Sequence, residues 1–220
     1  MTERGMIFNA EMVRALLDGR KTQTRRVMKP QPEVCPHGGH WWPSNVFKTM
    51  LHIEEEMQNG KGGWGGLVGD ACPFGDVGDR IWVRETWAEA GAGAPELKLY
   101  RANYPAHVPP HYENVPPVEE IRWTPSIHMP RWASRILLEI TDVRVERLNS
   151  IIQADAIAEG APPSHPSIDA VSRQFGFPDF SRSWFGQTWQ SIYGDDSWQA
   201  NPWVWVIEFK RIEGDGHEID

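Results

Sequence analysis

A run of polar and charged residues after Gly19 carries the clearest chemical signal in the chain. Residues 19–26 read GRKTQTRR and lead from a predicted helix into a predicted strand. Side chains alternate along a strand, which puts Thr24 and Arg26 on one face. If the turn includes Lys21, its amine can reach the hydroxyl of Thr24, take the proton and activate the oxygen as a nucleophile. A solvated basic turn explains the same residues, so the pattern leaves both interpretations open.

The spacing Gly19-x-Lys21-x-x-Thr24-x-Arg26 resembles the signature of the ASCH domain family, Gly-x-Lys-x-x-Glu-x-Arg. ASCH domains are small β-barrels related to the PUA RNA-binding fold. Thr24 stands at the usual Glu position, a departure shared with the bacterial N(4)-acetylcytidine amidohydrolases. In that subfamily the proposed catalytic set is a Lys, a Thr and a distant Glu. The resemblance carries this set onto Lys21, Thr24 and Glu159, the last of these near the end of a short predicted helix.

The resemblance leaves two long insertions outside it, at about 30–77 and 88–130. It also extends to larger ASCH proteins that are common in phage and prophage genomes. It implies a single ASCH-like domain over residues 1–213, followed by a flexible acidic tail at 214–220. The resembling segments are residues 6–28, 78–87, 135–160 and 203–211.

Two carboxylates stand in places where a free negative charge is unfavourable. Glu159 lies in the last helical turn, where the helix dipole disfavours an anion, so it either points into water or is held by a cation. Glu85 shares a predicted strand face with Trp87 and two aliphatic residues, and a buried carboxylate needs a partner or a raised pKa. Arg26 or Lys21 would serve as that partner. The alternative is that the strand ends before Glu85 and leaves it in solvent.

Aromatic residues flank a proline-bounded segment, residues 125–130, that contains His128. Trp123 precedes the segment and Trp132 follows it, so the three side chains could line a base-sized pocket with the indoles as stacking surfaces. A packed loop with a capping histidine is the alternative.

Four further residues have the side-chain types of a zinc site, namely Cys35, His37, His40 and Cys72. Their spacing is not that of a standard pair of Cys-x-x-Cys knuckles. We therefore expect no metal and no other cofactor, and we keep zinc binding as a minority alternative.

Charge and composition narrow the function further. The chain of 220 residues has 22 basic and 30 acidic residues, a formal charge of −8, which argues against a nonspecific duplex-DNA coat. Residues 1–30 hold seven Lys or Arg and only three acids. A local basic site on an acidic body favours a small anionic or polar ligand, or a short RNA, over a long polyanion. The resemblance implies that this ligand is a modified nucleoside or nucleobase. Two cysteines, no signal peptide and no membrane-length apolar run predict a cytoplasmic protein. The resemblance implies a bacterial or phage-infected host cell.

The elements that must position these residues are short strands and short helices. Asn9 is a good N-cap for a helix that Gly19 ends, and a capping box at Ser150 predicts a helix through Ala158. No alternation of strands with long helices is present, so the fold class is α+β, a small, partly closed mixed β-barrel with peripheral helices and two long loop insertions. The predicted strands cover residues 6–8, 22–27, 80–87, 97–101, 136–140 and 143–145 with a bend at 141–142, and 203–209, and a last helix covers 183–193.

These observations support functions of different classes. The first is a metal-independent amidohydrolase that removes the acyl group from an N(4)-acylated cytosine or cytidine. Thr24 would be the nucleophile or would orient it, and Lys21 would be the activating base. Glu159 would donate a proton to the leaving amine or polarise it. Arg26 and Glu85 would hold the base or order the site, and Trp87 is a further candidate for substrate binding. The second is a noncatalytic module that binds RNA or a modified nucleotide, as the relation to PUA folds implies. A phage accessory protein is a third.

Overall fold

The computed structural model describes residues 1–58 and 67–212 as an α+β protein built on one mixed five-stranded sheet. The predicted tail at 214–220 lies outside these residues. The strands are β1 (Glu3–Ile7), β2 (Gln23–Val27), β3 (Glu33–Val34), β4 (His40–Ser44), β5 (Thr49–His52), β6 (Arg80–Arg84), β7 (Trp87–Glu89), β8 (Lys98–Tyr100), β9 (Leu137–Arg147) and β10 (Trp203–Ile212). The helices are α1 (Ala10–Leu17), α2 (Leu67–Ala71), α3 (Gln153–Ala158), α4 (Pro166–Gln174) and α5 (Phe180–Tyr193).

The main sheet has the order β1-β6-β9-β10-β2. Only the β1–β6 pair is parallel, and the other three pairs are antiparallel. Its edges, β1 and β2, are joined by α1 rather than by a strand ladder. The guanidinium of Arg26 spans this gap and donates to the carbonyl oxygen of Ile7 at 2.8 Å. The α+β class and the mixed sheet are confirmed, and barrel closure is not part of the described pairing.

The β1–α1–β2 unit forms where its residue types favour it. Asn9 caps α1, since its Oδ1 accepts from the backbone N–H of Met12 at 2.9 Å. Gly19 ends the unit's helical turn at a φ of 72°, in the left-handed region that glycine adopts without strain. Phe8 and Val13, on either side of the cap, are both buried in the main core. The predicted strand–helix–strand unit is therefore confirmed.

Both faces of β10 are covered, which explains its continuous apolar sequence. Trp205 and Ile207 face the main core, whereas Val204 and Val206 pack with α5. β9 is one strand rather than two segments bent at residues 141–142. The irregularity there takes the form of a register shift against Glu208 and Phe209 of β10.

The first insertion is not mostly loop, contrary to the sequence-based prediction. Its described residues form the β3-β4-β5 sheet and α2. Trp42 of β4 packs edge-to-face on Trp205 with ring centroids 5.4 Å apart. The small sheet is therefore anchored to the main core by aromatic packing, which the Pro- and Gly-rich sequence did not reveal.

The second insertion contains the β7–β8 hairpin and several 3₁₀ turns. The short strand predicted at 97–101 is confirmed as β8. The strand predicted over 80–87 is divided into β6 and β7, and the break falls at Glu85 and Thr86.

α5 begins at Phe180 rather than at residue 183, and α3 and α4 differ further from the sequence-based prediction. α3 begins at Gln153 rather than after Ser150, because the Ser150 hydroxyl donates to the Arg147 carbonyl while Asp155 accepts from the backbone N–H of Ile152. α4 was not predicted, since its apolar residues do not mark a core-facing stripe. In residues 1–58 and 67–212, no helix is long and apolar enough to cross a membrane.

Candidate active site

Lys21 and Glu159 form a buried ion pair at the point where β2 begins and α3 ends. The Lys21 Nζ donates to Glu159 Oε2 at 2.8 Å and to the Glu159 carbonyl oxygen at 2.9 Å. Only 3% of Lys21 and 4% of Glu159 is exposed. The lysine therefore neutralises the carboxylate and caps the negative end of α3. Of the two alternatives for Glu159, exposure to water or contact with a cation, the structure shows the contact with a cation.

Backbone hydrogen bonds explain why these two distant residues meet. The N–H of Lys21 donates to the Ala15 carbonyl at 3.0 Å, and the N–H of Thr22 donates to the Ala158 carbonyl at 2.8 Å. Gly160 follows with a φ of 105°, and a Cβ there would lie 2.9 Å from the Cβ of Ala15. The close backbone approach of α1 and α3 thus places Lys21 within hydrogen-bond distance of Glu159.

Burial sets the electrostatics of the pair. Removal of Lys21 from water lowers the pKa of its amine, and the nearby arginines of β2 act in the same direction. The Glu159 carboxylate opposes this effect by attraction to the ammonium. The pKa of the Lys21 amine is therefore lowered overall, so its uncharged form is easier to reach than that of a solvated lysine.

A small cavity of about 140 Å³ lies between the β2 edge, the start of α1 and α5. Glu159 and Arg26 lie on its polar side. The α5 wall holds Trp189 and Tyr193, whose rings lie 4.3 Å apart at an interplanar angle of 34°. The full lining is Ile7, Asn9, Met12, Arg25, Arg26, Glu159, Phe185, Thr188, Trp189, Ile192 and Tyr193. An ionic floor beneath an apolar, aromatic wall suits a small planar molecule with a polar edge.

Thr24 is buried on β2, opposite Ile207 of β10 in the strand register. Alternation puts Thr24 and Arg26 on the main-core face and Arg25 on the α5 face. Among residues 1–58 and 67–212, no hydrogen bond joins the Thr24 hydroxyl to Lys21. The structure thus brings Lys21 and Glu159 together, and Thr24 lies on β2, the strand that begins two residues after Lys21.

Glu85 is buried, but neither predicted partner holds it. Arg135 binds it through two hydrogen bonds, from Nε to Oε1 at 2.9 Å and from Nη2 to Oε2 at 3.0 Å. The same guanidinium lies 4.0 Å from the ring centroid of Tyr100. Burial raises the pKa of the Glu85 carboxyl, and Arg135 opposes that rise. The expectation of Arg26 or Lys21 as partner is wrong, because β6 is separated from β2 by two strands.

The predicted aromatic binding residues gather around β7 and β8. Trp87 is buried and contacts Trp132 edge-to-face with centroids 5.3 Å apart. Trp132 is 58% exposed, and the ammonium of Lys98 lies 5.6 Å from its ring. Trp123 donates from Nε1 to the carbonyl of Val118 at 3.0 Å. None of these tryptophans lines the cavity beside Glu159.

His128 is exposed in a 3₁₀ turn and also lies away from that cavity. The guanidinium of Arg84 donates to the carbonyl oxygens of Ser126 and Ile127, so the proline-bounded segment is tied to β6. Of the residues predicted to bind substrate, Arg26 is the one that the cavity includes.

The four zinc candidates lie in different environments. Cys35 and Cys72 are free and buried, and burial raises the pKa of the Cys72 thiol to about 12. His40 contacts Glu54 through Nδ1 at 2.7 Å and Arg147 through Nε2 at 3.1 Å, while His37 lies on an open groove of about 590 Å³. Within the described part of the chain, no three His, Cys, Asp or Glu side chains form a metal-binding group.

Sequence reasoning missed Arg25, Arg135 and the α5 wall. Arg25 appeared as one more base in a basic run, although its side chain is fully buried. The apolar recurrence in α5 was visible, but a core helix shows the same recurrence. A separate groove of about 490 Å³ in the second insertion is larger, yet no carboxylate, amine or imidazole lines it.

The chain matches no protein-family model, no curated protein and no solved structure. The class defined here is an α+β protein with a buried lysine–glutamate pair beside a small cavity.

Proposed function

We propose that the chain is an ASCH-like amidohydrolase that removes the acyl group from an N(4)-acylated cytosine or cytidine. The observation that carries the proposal is the buried contact of 2.8 Å between Lys21 and Glu159 beside a cavity that contains Glu159. These are two members of the catalytic set that the motif resemblance implies. The third member, Thr24, is buried on the same strand edge.

The buried pair suits proton transfer in both directions. In a poorly solvated site, two opposite charges are costly, so moving the proton from Lys21 to Glu159 is much less unfavourable than in water. That transfer leaves an amine that can act as a base and a carboxylic acid that can act as a proton donor. One internal proton shift therefore supplies both groups that amide hydrolysis needs.

In the proposed reaction, the Thr24 oxygen attacks the acyl carbon while Lys21 takes the hydroxyl proton. The C–N bond breaks, and Glu159 gives its proton to the departing N(4) amine, which becomes the free amino group of cytosine. Lys21 then gives its extra proton to Glu159, which restores the free amine and the carboxylic acid side chain. Water attacks the acyl-threonine ester while the Lys21 amine accepts a proton from it, the ester C–O bond breaks, and Glu159 protonates the Thr24 oxygen as the carboxylic acid product leaves. The net change is amide plus water to acid plus amine.

The cavity supports a small substrate. A volume of about 140 Å³ matches one heterocycle rather than a stretch of folded RNA. Trp189 and Tyr193 offer an apolar wall for a planar ring, and Arg26 offers a donor for a carbonyl oxygen on its edge. Phe185 closes the inner end of the wall against Arg25, whose guanidinium lies 5.9 Å from the ring centroid.

A noncatalytic module that binds a modified nucleotide is the second candidate. The observation that favours it is the position of Thr24 on the strand face opposite Arg25, with no hydrogen bond to Lys21 in the described residues. Binding requires the cavity and its polar floor but no activated nucleophile.

Hydrolysis of N(4)-acetylcytidine, followed by the ultraviolet change as the acetyl group leaves, separates the two. We expect turnover by the wild-type protein and its loss in Lys21→Met, Thr24→Val and Glu159→Gln. Thr22→Val is the matched control, because Thr22 is exposed and only two positions away. Retained turnover in Thr24→Val would refute the nucleophile assignment. Tight binding of acylated nucleosides by a wild-type protein that does not hydrolyse them would favour the binding module.

A further inference from the structure

The carboxylate of Glu159 is shared between two cations. Oε2 accepts from Lys21 at 2.8 Å, and Oε1 accepts a long hydrogen bond from Nη1 of Arg25 at 3.4 Å. Because each oxygen has its own cation, rotation of the Glu159 carboxylate is restricted and Oε2 stays directed toward Lys21. Arg25 falls on an unspecified position of the signature, between Thr24 and Arg26, so the motif assigns it nothing.

Arg25 is itself held rigidly. Its side chain is fully buried, and Nη2 donates to Glu146 and to Asp155, each at 3.1 Å. Arg144 takes the other oxygen of each acid, with Nε 2.6 Å from Glu146 and Nη2 3.1 Å from Asp155. Two acids thus bridge two arginines, and this arrangement fixes the guanidinium plane of Arg25.

A planar guanidinium fits this position better than an ammonium. Three separate acids receive hydrogen bonds from two of its nitrogens, a fork that a lysine point charge cannot reproduce. The wall on its far side is Phe185 of α5, so water does not replace a lost contact there. The free-energy cost of burying this cation is offset by its hydrogen bonds to the three acids.

We propose that Arg25 is a positioning residue that holds the Glu159 carboxylate in place against Lys21. The proposal rests on the proposed function for its kinetic consequence, but its effect on Lys21 can be measured without turnover. The charged groups that act on the Lys21 ammonium are Glu159 at the end of α3 and Arg25 and Arg26 of β2.

The direction of the electrostatic effect follows from the sign of the charge. Arg25 lowers the pKa of Lys21, although less than burial does. Removing it favours the ammonium and frees Glu159 to turn toward Lys21 with both oxygens. From α5, Tyr193 is the titratable residue that lines the cavity. The N-cap Asn9 and Met12 of α1 also line it, and neither carries a charge.

The kinetic test compares Arg25→Met and Arg25→Lys, with Arg101→Met as the control because Arg101 is exposed. For Arg25→Met we expect kcat on N(4)-acetylcytidine to fall about 10- to 100-fold with little change in KM, since a misplaced reacting group costs about that much. The pH at which the rate becomes half-maximal should rise. Arg25→Lys should restore the pH profile more fully than it restores kcat.

The second test needs no activity. Lysine labelled with ¹³C at Cε reports each amine by NMR, and the Lys21 signal is identified by its loss in Lys21→Met. We expect the Lys21 titration midpoint to rise in Arg25→Met and to remain unchanged in Arg101→Met. If Arg25→Met does not fold, Asp155→Asn loosens Arg25 while keeping its charge, and it should lower kcat with a smaller change in the midpoint.

The outcomes distinguish this proposal from the proposed function. A Lys21 midpoint that shifts in Arg25→Met and is not fully restored in Arg25→Lys, in a protein that hydrolyses no acylated nucleoside, would refute the amidohydrolase and keep the role of Arg25. An unshifted midpoint, together with a rate loss no larger than that of Arg101→Met, would overturn the positioning role whatever the activity.

Discussion

Replacement of Glu85 by alanine tests the best-defined buried ion pair outside the cavity. Glu85 is 2% exposed and receives two hydrogen bonds from Arg135 at 2.9 and 3.0 Å. Removing one partner of a buried pair costs about 3–5 kcal/mol, because the other charge stays buried without compensation. The Arg135 side chain is 20% exposed and keeps a hydrogen bond to Asn103 at 2.9 Å. We therefore expect the low end of the range, about 3 kcal/mol.

Urea unfolding at pH 7, followed by circular dichroism, measures this loss. A change of about 3 kcal/mol corresponds to a fall of roughly 6–12 °C in the melting temperature of a domain of this size. Glu89→Ala is the matched control, since Glu89 is exposed two residues beyond Trp87 and should change stability by less than about 0.5 kcal/mol. The double variant Glu85→Ala/Arg135→Met should recover part of the loss, because it leaves no unpaired charge.

A loss below about 1 kcal/mol in Glu85→Ala would refute the reasoning. Such a value is typical of a solvated ion pair. A loss in the double variant equal to the sum of the losses in Glu85→Ala and Arg135→Met would likewise show that the two side chains are not energetically coupled.

Three further predictions concern a close backbone approach, a buried amine and two thiols. Gly160→Ala should destabilise the protein by about 1–3 kcal/mol through its positive φ and the clash with α1, whereas Gly93→Ala, which meets nothing within 4 Å, should be near neutral in the same unfolding assay. The pKa of Lys21 is lowered from 10.5, so just below that pH the folded state binds fewer protons than the unfolded state. The free energy of unfolding of the wild type should therefore rise relative to that of Lys21→Met as the pH approaches 10.5. A constant difference between the two proteins from pH 7 to pH 10 would contradict a lowered pKa. Cys35 and Cys72 are free and buried, so a thiol reagent should label neither quickly at pH 8 and both in urea, and fast labelling of the native protein would show that the sites open.

Local sequence rules predicted the elements whose causes are local. The N-cap at Asn9 and the left-handed stop at Gly19 depend on residues within a few positions, so the β1–α1–β2 unit could be derived from the sequence. The apolar strand at β10 was equally clear. The first insertion was misread because its small sheet depends on Trp42 packing against Trp205, a contact between residues far apart in sequence.

The candidate site likewise combines features that are local in sequence with contacts that only the fold creates. The types and spacing of Lys21 and Thr24, and the unfavourable helix-end position of Glu159, were evident in the sequence alone. The pairing of Lys21 with Glu159 spans 138 positions, and that of Glu85 with Arg135 spans 50. Strand order decides which cation reaches which buried acid, because β2 lies at one edge of the sheet and β6 near the other. The sequence therefore determined the chemistry available to this protein, and the tertiary structure decided the partners, since a buried charge is stabilised only by groups that the fold brings within a few ångströms.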